Sequence, residues 1–592
     1  MPVKWSGAWI YIGSNYLRMR QWQQRLGGNQ ISLSEYIKDQ AEQKRPDFLE
    51  WLEKQRKANR DSLYWWMTHL AGRNNAHSQF ALYIFQISAL REFLRNYTGN
   101  EKSILVICED GFLLYAVRQN LVNDWVVRTD STCWVGFGRD WAWWVARAVW
   151  SILRQIHWFL RHYHMARKTR PAHLAQPTGE VYLVHLCLDD KQLLSEGPLS
   201  SRYFKLIPVW LEKQGKQVVR LPWFANVKLP LKDVYKKLRE SNCLVPEDWL
   251  QFTDYLVALR NHIQAAFSLR YGITFADLNL KFLLMRERLY QLGCTGAEFW
   301  RYIPMLRRWG CHLNSLITLD HFEGILFEHI QIQVGRQLPF RFFAIGYYHT
   351  IVTKDMLAYH FHPGEWFSQV MPHRVITNGP LSKKLLIEQG VPNEKIVSGP
   401  AIRQEFPALV ASENRNNSLL ILLSLSQSNI EILVKLSEHR DWLKDVLKVP
   451  ILIKKHPFSN KNKLLEILSW NQLPDNWEWF DGEIYSAIEN SYCVLALATG
   501  SIVDAILGGA AVVSLTQELS APWNYLDLLE DEFPVVKAIP SEKIPQRLEE
   551  IYFTERDFYQ TEFAKIRQQL ISGLNPISDE TLRMFLSDQP EL

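Results

Sequence analysis

Apolar positions in residues 79–97 (QFALYIFQISALREFLRNY) recur at intervals of three and four, the period of an amphipathic helix, and residues 1–100 read mostly as helix. At residue 103 the pattern changes. SILVICEDG (103–111) is a short β-branched run closed by two carboxylates and a glycine, the pattern of a buried parallel strand with its carboxyl end exposed. Comparable runs follow at 181–186, 217–224, 315–324, 341–349, 374–379 and 395–402, with helical stretches between them. Strands alternating with helices predict a doubly wound α/β sheet. The polar segment ASENRNNS (411–418) then precedes a second strand series at 419–426, 449–457, 492–501 and 510–515. The reading is therefore of two Rossmann-like domains facing a cleft. The first spans 101–405, the second 418–540, with a helical region before them and a helical tail over 541–592.

An insertion at 133–175 interrupts the first domain. From Asp140 to Arg170 it contains no second acidic residue, and Arg147, Arg154, Arg161 and Lys168 recur every seven positions, one slowly drifting basic stripe on a helix. Val145, Val149, Ile152, Ile156 and Leu160 fall on the opposite face. Trp144 and Trp158 lie beside the arginines. This composition suits the surface of an anionic membrane, with Arg147, Arg154, Arg161, Trp144 and Trp158 as expected contacts. It does not suit a span, since a central arginine costs about 2.5–3.5 kcal/mol on insertion.

At 592 residues, 47% hydrophobic and 22% charged, the chain has the composition of a multi-domain globular protein rather than a disordered one. Its seven cysteines are scattered without a Cys-x-x-Cys pair, which points to a reducing compartment and gives neither a disulfide framework nor a zinc site. No signal-like or spanning apolar run is present. A cytoplasmic protein, peripheral at the inner face of the membrane, is expected. The formal net charge of +5 is too small to imply nucleic acid as a partner.

Candidate chemistry lies where strands end. In ILIKKHPFS (451–459), Lys454, Lys455 and His456 emerge from an apolar strand and Pro457 forbids its continuation, so cations and an imidazole are held where an anion would bind. Ser426 and Ser428 follow another strand, with Ser428 to Glu431 reading as a capping box. Thr499, Gly500 and Ser501 form a third turn of hydroxyls and glycine before a helix. Each feature alone also has an ordinary structural reading, a solvated strand edge or a helix cap. Their order along the chain predicts one phosphate site, because ligands of open α/β sheets sit beyond the carboxyl ends of the strands.

This order resembles the carboxyl-terminal domain of GT-B glycosyltransferases of bacterial surface polysaccharides, including capsule Kdo transferases, sialyltransferases and teichoic-acid glycerophosphotransferases. A resemblance in the first domain, carried by DSLYWWMTHL (61–70), LDHFEGILFE (319–328), AIGYYHTIV (344–352) and residues 374–403, is to surface carbohydrate (O-antigen) biosynthesis proteins. That family typically has Gly-Tyr-Gln-His where this chain has Gly346-Tyr347-Tyr348-His349. His349 is accordingly a cleft candidate. Glu109-Asp110-Gly111 is similar to the paired-acid motif of bacterial sialyltransferases, which implies Asp110 as general base, with Glu109 beside it. Glu323 and Glu328 are rivals for that role.

The resemblance implies an inverting, metal-independent transferase that takes a nucleotide-sugar, CMP-linked among the options, and a glycan or polyprenyl-linked acceptor, without a cofactor. His456 and Lys455 would meet the leaving phosphate, with Thr499, Gly500 and Ser501 around it. Two alternatives remain: a nucleotide-sugar 2-epimerase with the same architecture, and a non-catalytic membrane-associated scaffold for glycan assembly.

Overall fold

The computed structural model describes residues 5–73, 78–99, 103–121, 133–174, 176–197, 199–200, 203–224, 227–294, 296–351, 353–404, 415–424, 428–457, 459–520 and 524–587. Two parallel sheets organise them. The first holds β3 (Gly179–Leu188), β4 (Gln217–Phe224), β7 (Leu313–His321), β8 (Arg341–Tyr348), β9 (Arg374–Thr377) and β10 (Ile396–Ser398), in the order β10-β9-β8-β7-β3-β4. The second holds β11 (Leu419–Leu422), β12 (Ile451–Lys454), β13 (Trp477–Trp479), β14 (Cys493–Ala496) and β15 (Ala511–Ser514), in the order β13-β12-β11-β14-β15. The strands of the second sheet are short, and all but the edge strand β13 are mainly apolar. Ile421, Ile453 and Leu495 are buried in one core.

Strand order reverses in the second sheet between β11 and β14, which leaves a crevice at their carboxyl ends. The rungs of the ladder are level: Leu422 pairs with Lys454 on one side and Ala496 on the other. The chain therefore leaves β12 as Lys455-His456 and β14 as Leu497 to Ser501 at the same height.

Two expectations need correction. The strand read at 103–111 is outside the first sheet. It forms β2 (Leu105–Cys108), paired in parallel only with β1 (Trp9–Ile12), a strand the helical reading of residues 1–100 had not anticipated. The remaining small element is the hairpin of β5 (Thr274–Phe275) and β6 (Leu278–Asn279). The helical tail packs on both domains. Residues Ile544 to Leu574 complete the core of the second domain, and the chain then crosses back, where Leu582 and Phe585 enter the core of the first and Arg374 donates to the Met584 and Leu586 carbonyls.

The insertion forms a single helix, Cys133–Thr169, about 55 Å long at 1.5 Å per residue. Its inward face is Trp144, Ala148, Ser151, Gln155, Phe159, His162 and Ala166. Gln155 accepts from the Ala297 N–H at 3.0 Å and His162 Nδ1 meets the Tyr235 hydroxyl at 2.9 Å. Trp144 is thus withdrawn from a membrane, and Trp158 is half-buried. Trp144 is buried against Tyr290 and lies under Arg147 and Arg286, and Trp158 stacks on His162 beneath Arg301. Arg147, Arg154 and Arg161 are exposed. Among the described residues no helix is long and apolar enough to cross a membrane.

Candidate functional site in the interdomain cleft

The carboxyl ends of both sheets meet. Lys191, just after β3, forms an ion pair with Glu483 beyond β13. A Cβ placed on Gly500 would lie 3.8 Å from Thr350 Oγ1 and 3.5 Å from the Tyr525 ring, so the Thr499-Gly500-Ser501 turn faces the end of β8. Gly500 has φ −63°, which any residue adopts. The left-handed position in this loop is Ala498 at φ 52°, a conformation that costs a non-glycine residue roughly 1–3 kcal/mol. Gly500→Ala is therefore expected to stay within about 1 kcal/mol of wild type in urea unfolding, whereas Gly500→Leu should block the cleft and abolish ligand-induced stabilisation.

On the first domain's side, β7 ends at His321 and β8 ends one residue before His349. Parallel register sets Asp320 opposite Gly346 and His321 opposite Tyr347, and the same register carried two residues on brings Glu323 beside His349. Glu323 Oε1 lies 2.7 Å from His349 Nε2. Burial alone would raise the Glu323 carboxyl, but His349, His321 and Arg403 hold it down at about 2. His349 is 2% exposed; Nε2 makes the close approach to Glu323 without hydrogen-bond geometry, and Nδ1 meets no hydrogen-bond partner among the described residues. The Tyr203 ring closes over both histidines, at 4.3 Å from His349 and 4.5 Å from His321. His321 is pushed down to about 3 by burial and by His349, so it is neutral at physiological pH.

Beneath this couple, buried Asp320 lies 3.1 Å from His185 Nδ1. Glu328 accepts the Gly324 N–H at 3.1 Å, and burial together with Asp320 and Glu323 raises its carboxyl well above the ordinary range. It braces the turn after β7 from within and leaves the cleft-facing position to Glu323. Among the described residues no cluster of three or more His, Cys, Asp and Glu side chains is arranged to hold a metal ion.

No protein-family model and no curated protein matches this chain. Solved structures do resemble it at low identity. The glycotransferase of kitacinnamycin aligns over 69% of this chain and 98% of its own, with 10% identity and a TM-score of 0.39. The Methanocaldococcus jannaschii UDP-GlcNAc 2-epimerase in complex with UDP-GlcNAc and UDP aligns over 67% and 100%, at 11% and 0.37. Anabaena HepE in complex with UDP and glucose aligns over 67% and 95%, at 11% and 0.35.

The other sequence candidates fall in three places. Glu109 and Asp110 close β2, in the small sheet, and are occupied there. Asp110 accepts from Arg286 Nε at 2.7 Å and caps the following helix through the Leu113 N–H at 2.9 Å, while Glu109 accepts from the Ser14 hydroxyl at 3.2 Å. Their strand belongs to a different sheet from Glu323 and His349, so the paired-acid motif does not join that couple.

Lys455 and His456 stand at the end of β12, two strands from β14, about 10 Å across. Lys454 is turned away to the Gly482 carbonyl and the Phe480 ring. Ser426 lies outside the described residues, as does the side chain of Ser428, whose backbone opens the helix Ser428–Glu438. Sequence reasoning passed over His321, Tyr203, Arg403 and Tyr525. Only their fold-given proximity marks them, although His321 and Arg403 sit inside the segments that carried the family resemblance.

A buried acid helps to set the closure of the domains. Asp527 of the second domain accepts the Lys354 N–H of the first at 2.7 Å, and burial with Asp355 nearby pushes its carboxyl up to about 8. The folded state thus retains a proton that the unfolded chain loses above pH 3.8, so this group destabilises the fold increasingly from there toward pH 8. Asp527→Asn is expected to melt higher than wild type at pH 7.5, with the difference shrinking toward pH 4 in thermal unfolding.

Proposed function

We propose that the protein is an inverting transferase that moves a glycosyl or related group from a nucleotide-activated donor to a hydroxyl acceptor in surface-glycan assembly. The observation that carries this reading is the Glu323–His349 couple, set across the cleft from the Thr499-Gly500-Ser501 turn. A carboxylate 2.7 Å from Nε2 would draw the ring proton to that nitrogen once the two align, and so leave the Nδ1 lone pair as acceptor. An acceptor hydroxyl placed against Nδ1 would give up its proton as its oxygen attacks the donor's anomeric carbon, and the C–O bond to phosphate would break on the opposite face. Glu323 would stabilise the imidazolium so formed. The base in this reading is His349, with Glu323 positioning it, in place of Asp110.

The donor's phosphates would lie in the β11–β14 crevice. Their charge would be met by Lys455, by the hydroxyls of Thr499 and Ser501, and by Arg403, whose charge is felt at Glu323 and Tyr525. His456, one residue beyond Lys455, stands beside the leaving phosphate. The donor is a nucleotide-sugar and the acceptor a glycan or polyprenyl-linked hydroxyl. No step requires a cofactor.

A thermal-shift screen of CMP-, CDP-, UDP- and GDP-sugars tests the reading, since a ligand of the native state raises its melting temperature by mass action. One nucleotide class should stabilise the protein, and less so with Lys455→Ala. No response from any class, or isomerisation of the free donor without acceptor, would overturn it.

A further inference from the structure

The Cys133–Thr169 helix is amphipathic the wrong way round for a helix on a water-facing surface. Its packed face is dominated by small and polar residues, Ala148, Ser151, Gln155, His162 and Ala166 among them. Its outward face carries Trp150 at 67% exposure, Leu153 at 54%, Leu160 at 49%, and Val149 and Ile156 beside them. A helix on a water-facing surface normally shows the reverse order. Exposed apolar positions of this density mark an interaction site. The helix beside it, Phe252–Phe267, packs against it by way of Tyr255 on Phe159 and Tyr163, and likewise leaves Phe252, Leu256 and Val257 exposed.

Charge decides the partner. At 100° per residue, Arg147, Arg154 and Arg161 flank the apolar face on one edge, and Arg167 continues that face two turns beyond Leu160, all exposed; Arg260 and Arg270 are exposed on or just beyond the neighbouring helix. No acidic residue follows Asp140 in the long helix. The nearest acid of the neighbouring helix, Asp254, is taken up by Arg308. A second copy of the chain would set this cationic rim against itself in a self-complementary contact. Nucleic acid would match the arginines and leave the aliphatic centre without a counterpart.

We propose that this two-helix face docks on a lipid bilayer rich in anionic headgroups, with the tryptophan and aliphatic side chains at the level of the acyl boundary and the arginines among the phosphates. Docking of this kind would hold the cleft close to an acceptor that is itself carried in the membrane. The inference rests on the exposed face alone and stands apart from the chemistry assigned to the cleft.

Flotation of the full chain with vesicles tests it. Vesicles of equal parts phosphatidylglycerol and phosphatidylcholine should bind the protein at least about tenfold better than phosphatidylcholine alone, and high salt should reduce the difference. The exposed triple variant Trp150→Glu/Leu153→Glu/Leu160→Glu should lose binding about tenfold or more while keeping the wild-type circular dichroism spectrum. Arg154→Glu/Arg161→Glu should lose the preference for the anionic lipid and retain its fold. Equal binding to both vesicle types would overturn the proposal. So would wild-type flotation by either variant, or a wild-type dimer in solution that the triple variant converts to monomer.

Discussion

His349→Ala is expected to lower the turnover of donor with acceptor by roughly 10²–10⁴-fold, the contribution of a positioned general base, while donor affinity stays within about threefold of wild type. The split follows from placement. His349 stands on the first domain's side of the cleft, and of the groups assigned to the donor phosphates Lys455, Thr499 and Ser501 stand on the second. Glu323→Gln should also lower turnover, because the amide no longer enforces the Nε2 tautomer or stabilises the imidazolium, and the lost activity should not return at higher donor concentration. Initial-rate kinetics with both substrates varied would distinguish this from a binding defect. Unchanged turnover with a raised donor KM would place both residues among the binding groups instead.

The largest loss of stability is expected at Glu247. Its carboxylate pairs with Arg301, and both side chains are almost wholly excluded from solvent. Arg301 is also covered by the rings of Trp158 and Tyr302, so its charge has no route to water. Glu247→Ala leaves a buried guanidinium uncompensated, at an expected cost of about 3–5 kcal/mol in denaturant unfolding. Glu247→Ala combined with Arg301→Met should recover much of that, since the charge is then removed with its partner. Because Arg301 packs on Trp158, the single variant should also loosen the long helix, visible as faster amide exchange around Trp158 than in wild type.

The alternation of apolar runs with helical stretches was enough to locate along the chain eleven of the thirteen strands longer than two residues among the described residues. The two it missed are short and flanked by unhelpful neighbours. Trp477–Trp479 is a three-residue edge strand, and Trp9–Ile12 is buried by a partner almost a hundred residues away. No local period reports such a pairing. The same limit put the strand Leu105–Cys108 in the wrong sheet, because a strand followed by two acids reads alike in a large sheet and a small one. For the long helix, the basic heptad stripe was legible, but which face packs inward was not. Burial there follows hydrogen bonds from Gln155 and His162 to other elements, which hydropathy does not encode. Thr499-Gly500-Ser501 and Lys455-His456 were readable because proline, glycine and hydroxyl residues at strand ends have local conformational consequences. His321, Tyr203 and Arg403 become neighbours of His349 and Glu323 only through the parallel register of β7 and β8 and the return of the chain past β10.

A crystal structure with bound donor nucleotide tests the central claim most directly. The account predicts phosphates lying between Lys455 and the Thr499–Ser501 turn, with the anomeric carbon turned toward His349 and space between them for one acceptor hydroxyl at roughly 3–3.5 Å from each. A nucleotide seated at Asp110, or in any position from which His349 is screened, would contradict it.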